Sequence, residues 1–124
     1  MKLSKAEEQL MDFIWKTNNI FMKDIIESYP EPKPASTTIA TLLKRMQDKG
    51  FVGYKLFGNS RSYFALINKE SYFAEHVNGM IKSHFEDSAL QFASFFTVAT
   101  DMSQSELEDL KKIIDSQIQK KKGL

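Results

Sequence analysis

The chain has 124 residues, with 17 Lys and Arg against 16 Asp and Glu, ten Phe and no Cys. That length suits one compact domain or a small domain with a helical extension, and 42% hydrophobic residues can build a core, which excludes global disorder. The lack of Cys excludes disulfides, thiol catalysis and Cys-based zinc or iron–sulfur centres, and a net charge of +1 demands that any nucleic-acid surface be concentrated locally.

Ser4 followed by Glu7 forms a capping box, and Ala6, Leu10, Phe13, Ile14 and Trp15 follow at helical spacing, which predicts a first helix. MKLSKAEEQL holds no apolar signal core, and no run approaches the roughly 20 apolar residues that cross a bilayer. The expectation is a cytoplasmic chain with no membrane insertion. Asn18-Asn19 is a turn signal, after which Phe21, Ile25 and Tyr29 mark a short second helix. Pro30, Pro32 and Pro34 stop it, because each lacks an N–H and restricts its predecessor. Ser36 is the expected N-cap of a third helix and Gly50 its stop. FVGYKLF and SYFALI, flanking Gly58-Asn59, predict a β-hairpin. Helix, helix, helix and hairpin, in that order, make a winged helix-turn-helix.

Beyond residue 68 the strand signal vanishes. Asn68 is placed to cap a long helix with Phe73, Val77, Met80, Ile81 and Phe85 on one face. SALQFASFFTVA is apolar nearly all round, which predicts burial on several sides. Ser103 with Glu106 makes a second capping box, opening a helix lined by Leu107, Leu110, Ile114 and Ile118 and ending in a frayed KKKGL. The class expected is mainly α with a small β-hairpin wing: residues 1–67 a winged helix-turn-helix domain, residues 68–124 a helical region.

The third helix separates its chemistry by face. At about 100° per residue, Thr37, Thr38, Thr41, Lys44, Arg45 and Asp48 share a sector of roughly 120°. Ile39, Leu42, Leu43 and Met46 occupy the opposite side. Short hydroxyls near a helix start suit phosphates, base edges or thymine methyls, and cations further along suit phosphate or guanine. Residues 33–63 hold Lys33, Lys44, Arg45, Lys49, Lys55 and Arg61 against Asp48 alone, a net +5, whereas residues 101–118 carry −3. DNA contact is therefore expected from Ser36, Thr37, Thr38, Thr41, Lys44 and Arg45 of the helix and Lys55, Asn59, Ser60 and Arg61 of the wing, with Arg61 at the hairpin tip. A solvated polar helix face is the simpler alternative for the helix taken alone.

These motifs together resemble the penicillinase-repressor family of winged-helix regulators. LSKAEEQLMDFIW (residues 3–15) is similar to the family's opening helix, and TIATLLKRMQDKGFV (residues 38–52) to its recognition helix, through Thr38, Thr41, Leu42, Arg45, Lys49 and Gly50. GNSRSYFAL resembles the wing through Gly58, Arg61, Tyr63 and Phe64. The tail, with its long helix, hydrophobic helix and SQSELEDLKKII, resembles the family's dimerisation region, so the resemblance implies that residues 1–67 are the DNA-binding domain and residues 68–124 the dimerisation region. The resemblance implies a homodimeric repressor on a near-palindromic operator, without cofactor, and a membrane sensor-protease as inducing partner that cleaves the dimerisation region. Departures are visible: Pro34-Ala35-Ser36 replaces the frequent Trp-Ser-Pro, Thr37 and Ala40 stand where longer polar side chains are common, and Phe95-Phe96 is the nearest match to an Asn-Phe scissile bond. The expected dimer contacts are Phe73, Val77, Met80, Ile81, Phe92, Phe95, Phe96, Leu107, Leu110 and Ile114, any of which packing within one chain would explain equally.

The catalytic inventory is thin. His76 and His84 are the only histidines, with no HExxH, P-loop, G-x-S-x-G or G-x-G-x-x-G, so no enzyme and no metal site is expected. Two alternatives remain open: a winged helix used for protein–protein contact, and a repressor released by a small ligand lodged against the SALQFASFFTVA helix.

Overall fold

A computed structural model describes residues 2–123. The elements run α1 (Lys5–Lys16), β1 (Ile20–Phe21), α2 (Met22–Ser28), α3 (Ser36–Asp48), β2 (Val52–Phe57), β3 (Ser60–Ala65), α4 (Lys69–His84), α5 (Ala89–Ala99) and α6 (Gln104–Lys121). They fall into two compact units, Met1–Ala74 and Glu75–Leu124, with the division inside α4.

The first unit is a winged helix. The Ser4–Glu7 capping box closes in both directions: the Ser4 amide donates to Glu7 Oε1 at 2.8 Å and the Glu7 amide to Ser4 Oγ at 3.2 Å. β2 and β3 pair antiparallel from Val52–Ala65 to Phe57–Ser60, turning through Gly58 at φ +63°, a left-handed value that favours glycine. β1 adds to the other edge of β3 through Ile20–Tyr63 and Phe21–Ser62, giving a three-stranded sheet in the order β1-β3-β2. The sequence reading has no β1; two residues carry no period, and the pairing with β3 alone makes them a strand.

One core closes this unit. Leu10, Met11 and Ile14 of α1, Ile25 of α2, and Ile39, Leu43 and Met46 of α3 pack with Ile20, Phe51, Val52 and Tyr63. The first turns of α4 belong to it as well. The Leu3 amide donates to the Tyr72 hydroxyl at 3.1 Å, and that hydroxyl donates to Glu8 at 2.7 Å. Trp15 donates its indole N–H to the Ile67 carbonyl at 2.8 Å, and its ring packs on Tyr72 and Phe73. Phe73, expected at a dimer contact, is thus packed against this unit's own core.

The second unit consists of the rest of α4 with α5 and α6. Ser88 caps α5 by accepting from the Gln91 amide, and Ser103 with Glu106 forms a closed capping box on α6. Three sequence expectations are corrected here. α4 ends at His84, so Phe85 lies beyond it, where its ring meets Phe92 and Phe95. α6 stays helical through Lys121, so the first two residues of KKKGL are ordered helix rather than frayed end, and its Leu124 lies outside the described residues. Finally, α5 is not buried on several sides: neither α5 nor α6 contains a single buried residue.

Candidate nucleic-acid interface

The amphipathic division of α3 survives folding. Ile39, Leu43 and Met46 are buried, while Ser36, Thr37, Thr38, Ala40, Thr41, Lys44, Arg45 and Asp48 face solvent. Ser36 is the first helical residue and not the cap: Ala35 occupies the N-cap and makes no side-chain hydrogen bond. The first-turn amides therefore lack a side-chain cap, as a helix end that meets an anion requires. Gly50 ends the run at φ +83°, where a β-carbon would be strained.

Two side chains on the exposed face already have partners. Lys44 Nζ lies 2.9 Å from Asp48 Oδ1, one turn along the helix. Thr41 Oγ1 donates to the Thr37 carbonyl at 3.0 Å, the back-bonding open to a helical threonine. Arg45 has no carboxylate partner among the described residues.

Folding also spends two further cations of the +5 segment. Lys33 donates to the Glu27 and Tyr29 carbonyls at 3.1 and 2.7 Å, capping the end of α2. Lys49 lies 2.7 Å from the carboxylate of Glu7, which is only 1% exposed. Burial opposes that carboxylate's charge, but Lys49 and the Ser4 amide and hydroxyl prevail and hold its pKa below the usual value. Lys49 thus fastens α3 to the start of α1. Counting charges along the sequence overstates the basic surface, because Glu7 stands 42 residues away from its partner.

On the wing, strand alternation puts Tyr54 and Leu56 of β2 beside Arg61 and Tyr63 of β3 on one face, and Lys55 and Phe57 beside Ser60, Ser62 and Phe64 on the other. Arg61 is a strand residue opposite Leu56, not a turn residue at the tip. Its guanidinium carbon sits 4.2 Å from the Tyr54 ring centroid, a cation–π distance that orients the side chain, and a hydrogen bond to Tyr63 raises its pKa above the ordinary value. Lys55 stands 6.0 Å over the Phe64 ring. That ring lies across Gly53, where a β-carbon would come within 2.9 Å of it. Neither Lys55 nor Arg61 has a carboxylate partner among the described residues.

The sequence reading misses three residues here. Lys23, at the start of α2, lines a groove of about 330 Å³ together with Asn59, Ser60 and Arg61. Leu56 and Phe57 expose 64% and 58% of their surface on the wing. Lys23 reaches this groove only because β1 pairs with β3, and no local signal announces that pairing.

In the second unit, Val77, Met80, Phe95, Phe96, Leu107, Ile113, Ile114 and Ile118 are exposed large hydrophobics. Ile81, Phe92 and Leu110 are half-buried. Phe85, Gln91, Ser94, Phe95, Val98 and Ala99 line an open groove of about 590 Å³. No helix among the described residues is long and apolar enough to cross a membrane.

Comparison with known proteins follows the same outline. The family model "Penicillinase repressor" matches residues 3–116. The methicillin resistance regulatory protein MecI of Staphylococcus aureus (strain N315) is 29% identical over 119 residues, covering 92% of this chain and 94% of that protein. The MecI of Mammaliicoccus sciuri aligns to the same extent. Among solved structures, the solution structure of the DNA-binding domain of the repressor BlaI matches with a TM-score of 0.51 and 28% identity, over 57% of this chain and 88% of that one.

Proposed function

The chain belongs to the penicillinase repressor family, and from that premise we propose that it is a transcriptional repressor binding double-stranded operator DNA as a cytoplasmic homodimer. The observation that carries the proposal is the exposed face of α3. The helix is held by a complete apolar stripe, and its free side presents an uncapped first turn, short hydroxyls and an unpaired Arg45. Core packing needs none of these. In the reading proposed here α3 enters the major groove, its first-turn amides and Ser36 meet phosphate, and Thr37, Thr38, Thr41 and Arg45 face base edges. Lys55, Asn59, Ser60, Arg61 and Lys23 grip the flanking backbone or minor groove.

The dimer is assigned to the second unit. Two helices without a buried residue expose Phe95, Phe96, Leu107, Ile114 and Ile118 together, more apolar surface than a lone soluble unit keeps in water. A second copy covers it, with Val77, Met80, Ile81, Phe92 and Leu110 completing the contact and Phe73 left out. Dimerisation makes the second half-site contact intramolecular, and the two copies of α3 then stand about 34 Å apart, or a multiple of it, along the duplex. Release by a membrane sensor-protease remains part of the proposal through the family. The Phe95–Phe96 bond lies inside α5, so cutting there requires that helix to unwind first.

The test is recovery of genomic fragments by the purified chain at near-physiological salt, with random duplex as competitor. Enrichment of a few promoter fragments sharing an inverted repeat is expected. Uniform binding would discard the sequence-specific repressor. No binding at low salt would favour a winged helix used for protein contact.

A further inference from the structure

Resting on the operator-binding reading above, we infer that Thr41 reads thymine by its methyl group, so that this chain recognises the 5-methyl of a thymine in the major groove. The hydroxyl of Thr41 is turned back onto the Thr37 carbonyl at 3.0 Å, and both residues are exposed. Its one proton is spent inside the helix. The side chain therefore has no donor for guanine N7 or O6, thymine O4 or a phosphate oxygen; it keeps an acceptor oxygen, and its γ-methyl is the group left for an apolar contact. Ala40, also exposed, adds a second methyl beside it, and Thr37, Ala40 and Thr41 stand at i, i+3 and i+4 on one side of α3. A strip of such short side chains lets a helix approach the groove floor closely. Lys44, the next cation along the face, lies 2.9 Å from Asp48 one turn further on. Of the four base pairs, only those containing thymine carry a methyl on the major-groove edge, so the contact discriminates without a hydrogen bond.

The experiment isolates that methyl on both sides. The full chain selects duplexes from a random-sequence library, and the recovered motif is resynthesised with thymine or, position by position, with deoxyuridine, which differs only by the methyl. Binding is measured for the wild type, Thr41→Ser, which keeps the hydroxyl and loses the methyl, and Thr41→Val, which keeps the methyl and loses the hydroxyl. Burial of one methyl predicts that deoxyuridine at the contacted position weakens wild-type binding about fourfold, and about fifteenfold when both halves of an inverted repeat are changed. Thr41→Val keeps this discrimination, whereas Thr41→Ser binds thymine and deoxyuridine duplexes alike. If Thr41→Val loses affinity while Thr41→Ser retains it, the hydroxyl is the reader and the inference falls. Indifference of the wild type to deoxyuridine at every thymine of a recovered motif overturns it equally, with operator binding left standing. Failure to recover any motif overturns the operator-binding reading itself, and this inference with it.

Discussion

The two units of this chain treat the same apolar currency in opposite ways. Residues 1–74 bury Leu10, Met11, Ile14, Ile25, Ile39, Leu43 and Met46 to within about 1% of full enclosure. Residues 75–123 hold Phe95, Phe96, Leu107, Ile113, Ile114 and Ile118 at 38% exposure or more. Both have capped, well-formed helices, so secondary structure does not separate them. The difference is closure: the first unit completes its core with its own chain, and the second presents half of one. In the dimer proposed above, the second unit's order depends on protein concentration and the first unit's order does not.

The largest expected effect comes from breaking the cover. Leu107→Asp with Ile114→Asp should leave the first unit folded and convert the protein to a monomer in sedimentation equilibrium. Operator affinity should fall by about 100-fold or more, because the second half-site is no longer reached intramolecularly. A dimer that survives both substitutions would place the interface elsewhere. Next is the closed core: Leu43→Ala should cost about 3 kcal/mol in denaturant unfolding, by an amount that does not vary with protein concentration. Concentration dependence there would mean that the two units unfold as one.

A smaller effect belongs to the buried ion pair. Glu7 has a pKa held below its free value, so its contribution is present above the unfolded carboxylate pKa and disappears as pH falls through the folded one. Glu7→Gln should therefore lower stability by about 2 kcal/mol at neutral pH and flatten the acid limb of the stability curve. Unchanged acid dependence in that variant would assign the limb to other carboxylates. Smallest is the wing: Arg61→Ala should reduce the log–log salt slope of DNA binding by about 0.9 for the one phosphate it neutralises. An unchanged slope would remove Arg61 from the interface.

What was legible in the sequence depended on how far apart the determining residues lie. Capping boxes at Ser4–Glu7 and Ser103–Glu106, the Gly50 stop and the hairpin around Gly58 are local, and folding leaves them where the residues put them. β1 was illegible because Ile20 and Phe21 become a strand only against Tyr63 and Ser62. Lys49 counts toward the basic segment in sequence because its partner Glu7 sits on another helix. α5 departs from its expectation for a different reason: apolar residues all round predict burial, but burial depends on what packs against the helix, and within this chain none of its residues is buried. On α3 the exposed face was legible from periodicity alone, whereas the back-bonded hydroxyl of Thr41 required coordinates.

The pairing of Lys33, Lys44 and Lys49 within the chain has a bearing on how such a protein would find its site. Each is held by a carboxylate or a backbone carbonyl before any DNA arrives. The proposed dimer, gripping the backbone through Lys23, Lys55 and Arg61 of each copy, offers about six phosphate-neutralising contacts, which corresponds to a log–log salt slope near −5. Cations paired with carboxylates, as Lys44 and Lys49 are, weaken attraction to every sequence equally and leave base-edge contacts untouched. On the operator-binding reading, bulk chromosomal DNA would then hold the protein briefly, fewer copies would be idle at random positions, and a scarce protein could keep one site occupied.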